Sequence, residues 1–460
     1  MRLPVDVPYV SKIFDHEVLQ ALKIAIPLVV AELVSSLYAL ADTYFVKGLG
    51  ESAISALGIA SYIFWFAMAI LALFNVPLSI AVAQYIGAKD FRGARTSLGL
   101  ILALGTIIVL PISLILSYLT PWIVLVQSGS SGSTLKYATE YLYIRFYGFL
   151  IPFTALCLDT AIISSGRTLY SMISNSIGLI LNIVLDPVLI YGLHGFPRLE
   201  VAGAAYATLI SWLVTLVINL MFIVRMRLTP IFKIEYQKAL VLLRLGLFAF
   251  LERLLFSLGN NIYAGIIARL GDIAMAAHNI GLRIESLIYM PGHAFTMAAS
   301  VLVGQKVGAG DIEGAKRVGS KVIMLGTLGM GFIGIVIAFL APLVATPFAP
   351  SEDVRKLASI YLLIAGLNEF GLGLTMITGG AIRGAGNVIV PFITNLTCLF
   401  AVRVALAVYL APLINVIGPW IAMFIDIYLR GFVLYYVYST RFHRLVKRVA
   451  ERVELENKSS

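Results

Sequence analysis

Charge is scarce in this sequence. Asp, Glu, Lys and Arg make up 13% of its 460 residues, against about a quarter in an ordinary soluble domain. Hydrophobic residues make up 60%, with a mean hydropathy of +0.94, which excludes a water-soluble globular domain. Cysteine is nearly absent. Cys157 and Cys398 each sit inside an apolar run, so a disulfide framework is excluded and both read as small packing residues. His278 and His293 have no partner at metal-ligand spacing. There is no His-Glu-x-x-His, no Gly-x-Ser-x-Gly and no Gly-x-x-x-x-Gly-Lys-[Ser/Thr]. An enzyme finds no motif here, and no ATPase is built in. Energy for any transport must come from an ion gradient or a partner, and no cofactor is expected beyond a coupling ion.

What is present is apolar length. A helix needs about 20 apolar residues to cross the hydrocarbon core, and such stretches recur. The expected fold is an all-α polytopic membrane protein of twelve transmembrane helices, over about 19–46, 53–80, 96–120, 137–163, 169–192, 202–226, 240–268, 273–299, 320–345, 354–380, 388–411 and 415–440. The first run follows a mixed polar segment (Asp6, Lys12, Asp15, Glu17) and is too long for a signal-peptide core, so it is expected to remain as a span. An even number of spans puts both termini on one side. The loops and tails of that side carry 22 Lys and Arg, against six in the opposite loops (Lys47, Lys136, Arg198, Arg269, Arg355, Lys356). By the positive-inside rule both termini are cytoplasmic, in a multi-pass protein of the cell membrane. The net charge of +10 therefore reports topology and not nucleic acid. The basic tail 441–460 is read the same way, with attraction to anionic lipid. The segment Gln127 to Thr134, rich in Gly and Ser, reads as a flexible external loop.

The halves repeat. Residues 83–95 (AQYIGAKDFRGAR) line up with 304–316 (GQKVGAGDIEGAK), and the same offset of 221 pairs Ser36 with Ser257 and Gly50 with Gly271. Farther on, at an offset of 220, Ala161-Ile162, Gly166 and Asn175 pair with Ala381-Ile382, Gly386 and Asn395. A repeat of six helices is a parallel repeat about an axis along the membrane normal. The expected units are two pseudo-symmetric six-helix lobes, 1–230 and 231–440, with the tail 441–460 as a third segment. In the repeated loops Gly permits the turn and Asp caps the next helix.

Acids inside such spans are costly and mark interiors or water-filled cavities. Tyr38 and Asp42, and again Asn182 and Asp186, are four residues apart and share a helical face. Asp42 lies eight residues before Gly50 and Asp186 six before Gly192, so at about 1.5 Å per residue both fall near the same depth, roughly 10 Å below their helix ends. The repeat places Asp42 opposite Tyr263, Asp186 opposite Leu406, Glu252 opposite Ala31 and Glu32 opposite Arg253. A scaffold acid would recur in both halves, and none of these does. Asp42, Asp186, Asn182 and Thr208 offer the oxygen set that a hard cation prefers, and the same groups would equally hold a proton. On the structural alternative Asp186 caps its helix and Asp42 pairs with a base. Pro187 frees the Ile183 carbonyl beside this pair, and Pro27 gives the first helix a place to bend. Secondary candidates for substrate contact or relay are Asp159 with Tyr141 and Arg145, the last read either as a neighbour or as its neutralising base. Glu252, and the Met290 to Phe295 stretch, complete that set. For Glu252, structural pairing and cation binding stand level; for Met290 and Phe295, packing is the favoured reading over lining an apolar cavity.

The residues 39–50 (ALADTYFVKGLG) resemble the first-helix signature of the multidrug and toxic compound extrusion (MATE) transporters, as do 276–284 (AAHNIGLRI), 290–292 (MPG), 298–305 (AASVLVGQ) and 380–386 (GAIRGAG). Asp42 with Asn182 and Asp186 is similar to the DinF-like branch. The resemblance implies two six-helix lobes and exchange of organic cations against H⁺ or Na⁺. It implies a coupling-cation site of Tyr38, Asp42, Asn182, Asp186 and Thr208, with Asp42, Asp186 and Asn182 as ligands if the ion is Na⁺. Glu252 matches the family's helix-seven acid, and Arg253 follows it where the family often has Asn.

The expectation is therefore a secondary active multidrug antiporter, not an enzyme. Its partners would be amphipathic organic cations or drugs and membrane lipid, with no nucleic acid, and the chain is expected to be a monomer. The competing function is a flippase for lipid-linked oligosaccharide or lipid, which would carry a basic central cavity. Lys23, Arg145, Arg253, Arg283, Arg403 and Arg430 are the intramembrane bases it would draw on.

Overall fold

In the computed structural model, residues 16–129 and 132–459 are described, except for the side chains of 36–43, 287, 458 and 459. No strand occurs among the described residues. Among the described residues twelve long helical spans succeed one another, several broken internally. They are α1 (His16–Val46), α2 (Glu51–Met68) continued by α3 (Ala72–Gly87), α4 (Phe91–Ser128), α5 (Gly132–Tyr147) with α6 (Leu150–Ser164), α7 (Thr168–Tyr191) and α8 (Glu200–Arg225). The second six are α9 (Tyr236–Ala268), α10 (Asp272–Gly308), α11 (Ile312–Ala345), α12 (Glu352–Gly384), α13 (Ile389–Thr397) with α14 (Ala405–Ile414), and α15 (Ile417–Leu445). A short α16 (Val449–Ser459) follows.

Among the described residues, nine of these spans are long and apolar enough to cross a membrane, and eleven when each bent pair counts as one. The twelfth, α9, carries Glu252, Arg253, Asn260 and Asn261 in its middle and falls outside that set. Each half begins its third span in the same way. Asp90 Oδ1 accepts from the Gly93 N–H at 2.8 Å and Asp311 Oδ1 from the Gly314 N–H at 2.8 Å, so the repeated loops are N-caps. Pro27 and Pro187 both lie inside helices that continue past them.

The chain packs as two compact units. One comprises Val30–Val82 and Asp90–Phe250, the other Met1–Val29, Ala83–Lys89 and Leu251–Ser460. This partition differs from a cut at residue 230 in three places: the start of α1, the end of α3, and the first part of α9. In the first unit α7 and α6 pack on α8, and α2 and α4 pack on α5, around a core that includes Ala56, Leu142, Phe146 and Ala204. In the second unit α12 packs on α10, α11 and α15, with Tyr263, Tyr361 and Trp420 in its core. His278 lies edge-on to Tyr263 and Tyr361, a packing role.

Candidate functional site

In the first unit, Asn182 and Asp186 stand one turn apart on α7 and are both fully buried. Asn182 Nδ2 donates to Asp186 Oδ1 at 3.3 Å. Asn182 Oδ1 accepts no hydrogen bond among the described residues, and a buried amide oxygen of that kind suits a cation or a proton donor. Thr208 is buried on the neighbouring α8, with its hydroxyl donating to Ala204 O at 2.8 Å. That bond consumes its proton and leaves the oxygen as an acceptor. The α7–α8 contact is tight, since a Cβ on Gly203 would lie 2.6 Å from the Leu189 backbone. Three of the five expected coupling residues thus stand on one packed helix pair. The other two, Tyr38 and Asp42, lie outside the described side chains.

A cleft in the same unit is lined by Val34, Ser35, Asn175, Trp212 and Thr215. Asn175 Nδ2 donates to Asp159 Oδ2 at 3.3 Å, so Asp159 stands behind the wall of this cleft, and Glu32 acts on it electrostatically. Of the two readings of Arg145, the neutralising base finds no ion pair with Asp159 among the described residues. Arg145 donates to the Tyr141 hydroxyl at 3.2 Å and lies 4.2 Å from the Phe64 ring centroid. A guanidinium between two aromatic rings is held without a carboxylate.

In the second unit, Glu252 is paired. Its Oε1 accepts from Arg383 at 2.7 Å and from Asn395 Nδ2 at 2.5 Å. Arg383 belongs to the Gly-Ala-Ile-Arg-Gly-Ala-Gly stretch, and Asn395 is the repeat counterpart of Asn175. The same position in both halves thus presents an amide to an acid, from α6 in one case and α9 in the other. Met290 is partly buried on α10, and Phe295 packs against the backbone at Gly326 of α11.

Sequence reasoning missed a larger buried cluster. Asp426 on α15, fully buried, accepts from Arg403 Nε at 2.8 Å and also from Arg430. Arg403 further donates to Asn260 Oδ1 at 3.2 Å. The available signal was the i, i+4 pair Asp426 and Arg430 within one apolar span. Glu369 on α12 is also fully buried, and neither of its carboxyl oxygens has a hydrogen bond among the described residues. Outside the spans, the Lys306 ammonium 2.9 Å from Asp311, together with the Gly314 N–H, holds the Asp311 carboxyl below the usual range.

Comparison with known proteins follows this division. The chain is 29% identical to a probable multidrug resistance protein NorM of Thermotoga maritima, over 95% of each protein. It is 26% identical to an FAD transporter of Shewanella oneidensis, over 91% of each. A solved structure described as MATE in the bent conformation shares the fold, with a TM-score of 0.84 and 24% identity over 94% of this chain and 96% of that one. The MatE family profile matches twice, over residues 27–188 and 249–409. The first match spans the buried Asn182–Asp186 pair and the second the Glu252 ion pair, one to each repeat, and on that double match the chain belongs to the MatE family, multidrug and toxic compound extrusion.

Proposed function

We propose that this multi-pass membrane protein is a secondary active antiporter that expels amphipathic organic cations in exchange for H⁺ or Na⁺. The observation that carries the reading is the fully buried Asn182–Asp186 pair on α7, with Thr208 buried on the neighbouring α8 and an Asn182 oxygen that accepts no hydrogen bond among the described residues. Asp42 and Tyr38 would complete the site from α1. Two carboxylates in low dielectric cannot both stay charged without a proton or a bound cation. Occupation by the coupling ion therefore favours one arrangement of the helices, and cargo favours the other. Such differential affinity is the condition for coupling, and alternating access is the motion.

The bend is assigned to Pro27, and the division between the compact units falls between Val29 and Val30 of the same helix. The two lobes are taken as residues 1–230 and 231–440, with both termini cytoplasmic and the protein acting as a monomer. Glu252 is read as a structural acid, because Arg383 and Asn395 already occupy it. The names of the relatives divide between multidrug resistance and FAD transport, so the cargo test includes both. A flippase would need its bases free for a phosphate. Arg145, Arg403 and Arg430 are instead engaged by Tyr141, Phe64 and Asp426.

The test is transport in proteoliposomes, with a cationic dye or FAD as cargo, an imposed pH or Na⁺ gradient, and wild type beside Asp42→Asn. Dye movement driven by one gradient and abolished by Asp42→Asn is expected. Movement unaffected by either gradient would sink the antiport reading, and movement of FAD alone would replace the cargo.

A further inference from the structure

The segment after the last span is tied into the bundle through its backbone. Gln84, near the end of α3, is buried, and both ends of its amide are used. Nε2 donates to Gly384 O at 3.2 Å and to Lys447 O at 3.5 Å, while Oε1 accepts from the Val449 N–H at 2.8 Å. The Lys447 N–H donates to Ala385 O at 2.8 Å. Arg448 donates to Val307 O at 3.1 Å and Arg452 to Gly386 O at 3.0 Å. Val307 stands in the last turn of α10 and Gly386 two residues past α12, and a guanidinium at such a helix end is a favourable cap, although Val307 O also accepts from the Gly310 N–H at 3.1 Å. These two arginines of the basic tail thus donate to backbone carbonyls of the bundle, and Arg448 also pairs with Glu451 at 3.3 Å. Gly386 has φ +90°, and a Cβ there would lie 2.0 Å from the Lys447 carbonyl oxygen, so the tail passes where only glycine leaves room.

Beside this crossing the ends of α3 and α10 meet backbone to backbone. A Cβ on Gly87 would lie 1.8 Å from Gln305 O, and one on Gly308 would lie 1.8 Å from Gln84 O. Gln84 and Gln305, like Gly87 and Gly308, are repeat counterparts. Every residue of this knot belongs to one compact unit, whereas α3 up to Val82 belongs to the other. The tail therefore binds the one stretch of the second span that is grouped with the second half.

We propose that residues 446–452 are a strap that holds the basic-loop ends of α3 and α10 together, and that it must leave Gln84 before that end of the protein opens. The inference rests on the alternating-access reading above. Bonds present only while the ends are joined shift the equilibrium toward the joined state. Here one short segment binds α3, α10 and the end of α12 at once.

The test uses the full chain with Cys157 and Cys398 replaced by Ala. In one arm Gln84→Cys and Val449→Cys are joined by a short reducible cross-linker, and dye transport is measured before and after reduction. In the other, Ala83→Cys reports accessibility to a membrane-impermeant maleimide, with Gln84 intact, with Gln84→Ala, and with the chain ended at Leu445. The strap predicts that cross-linking lowers transport by at least about tenfold and that reduction restores it. It also predicts that Gln84→Ala and the shortened chain label several-fold faster. Equal transport in the cross-linked and reduced proteins would overturn it, as would unchanged labelling in Gln84→Ala should the shortened chain not fold. If the parent with only Cys157→Ala and Cys398→Ala moves no dye, the transport reading fails, and the labelling arm still decides the strap.

Discussion

Asp186 and Asp426 are both fully buried acids in apolar spans, and the hydrogen bonds described for them come from different groups. Asp186 has the neutral amide of Asn182 beside it, whereas Asp426 takes two guanidiniums, from Arg403 and Arg430. Desolvating a carboxylate is costly, and attraction to a buried partner repays it only when the geometry is good. The Asp426 cluster carries its own counter-charges and so needs nothing from outside. The Asp186 pair has an amide and an acceptor oxygen to offer, which suits an exchangeable proton or cation. The same contrast separates Glu252, held by Arg383 and Asn395, from Asp159, held by Asn175. Repeated backbones thus carry amide-bonded acids in one half and ion-paired acids in the other.

Substitutions that exchange these roles break the comparison most sharply. Asp426→Ala leaves two buried guanidiniums without their carboxylate and is expected to cost about 3–5 kcal/mol, read as a drop in thermal stability in detergent. Adding Arg430→Met and Arg403→Met to Asp426→Leu should recover most of it. Next in size, Asp186→Asn is expected to leave the fold intact and lower gradient-driven transport by roughly 10- to 100-fold, the equivalent of one charged hydrogen bond. A stability loss as large as that of Asp426→Ala would show Asp186 to be scaffold as well.

The paired amides sharpen the contrast at smaller scale. Asn175→Ala and Asn395→Ala should each cost about 1 kcal/mol of stability. Only Asn175→Ala should change the apparent KM for dye, because Asn175 lines the cleft. Smallest is Asp311→Asn. The Asp311 carboxyl is held below its usual range by Lys306, so its contribution is present above about pH 4 and is lost as pH falls through the lowered folded value. Acid unfolding of wild type should accordingly be slightly steeper than that of Asp311→Asn, and identical acid limbs would remove the assignment.

The twelve spans, their repeat and the capping aspartates were legible because each is local: apolar length, a fixed offset, an Asp three residues before a Gly. The breaks were not. α5 and α6 meet at 52° across Gly148 and Phe149, inside what hydropathy reads as one run. The Asn182–Asp186 pair was legible from i, i+4 spacing. Asn175 beside Asp159, Phe64 beside Arg145 and Arg403 beside Asp426 were not, because each comes from another helix. The helix-end carbonyls that take Arg448 and Arg452 were not legible either, since composition gives a base's side of the membrane and not its bonding partner. The Tyr38 and Asp42 part of the site lies outside the described side chains and is carried by the sequence alone.

The claim at the centre of this account is that the exchangeable cation belongs to Asp186 and not to the ion-paired acids of the second half. Cation binding to the purified protein tests it most directly, by radiolabelled Na⁺ uptake and by proton release on adding Na⁺ or cargo, for wild type, Asp186→Asn and Glu252→Gln. Loss of binding or release in Asp186→Asn, with Glu252→Gln like wild type, is the predicted result. Unchanged binding in Asp186→Asn, or its loss in Glu252→Gln, would contradict it.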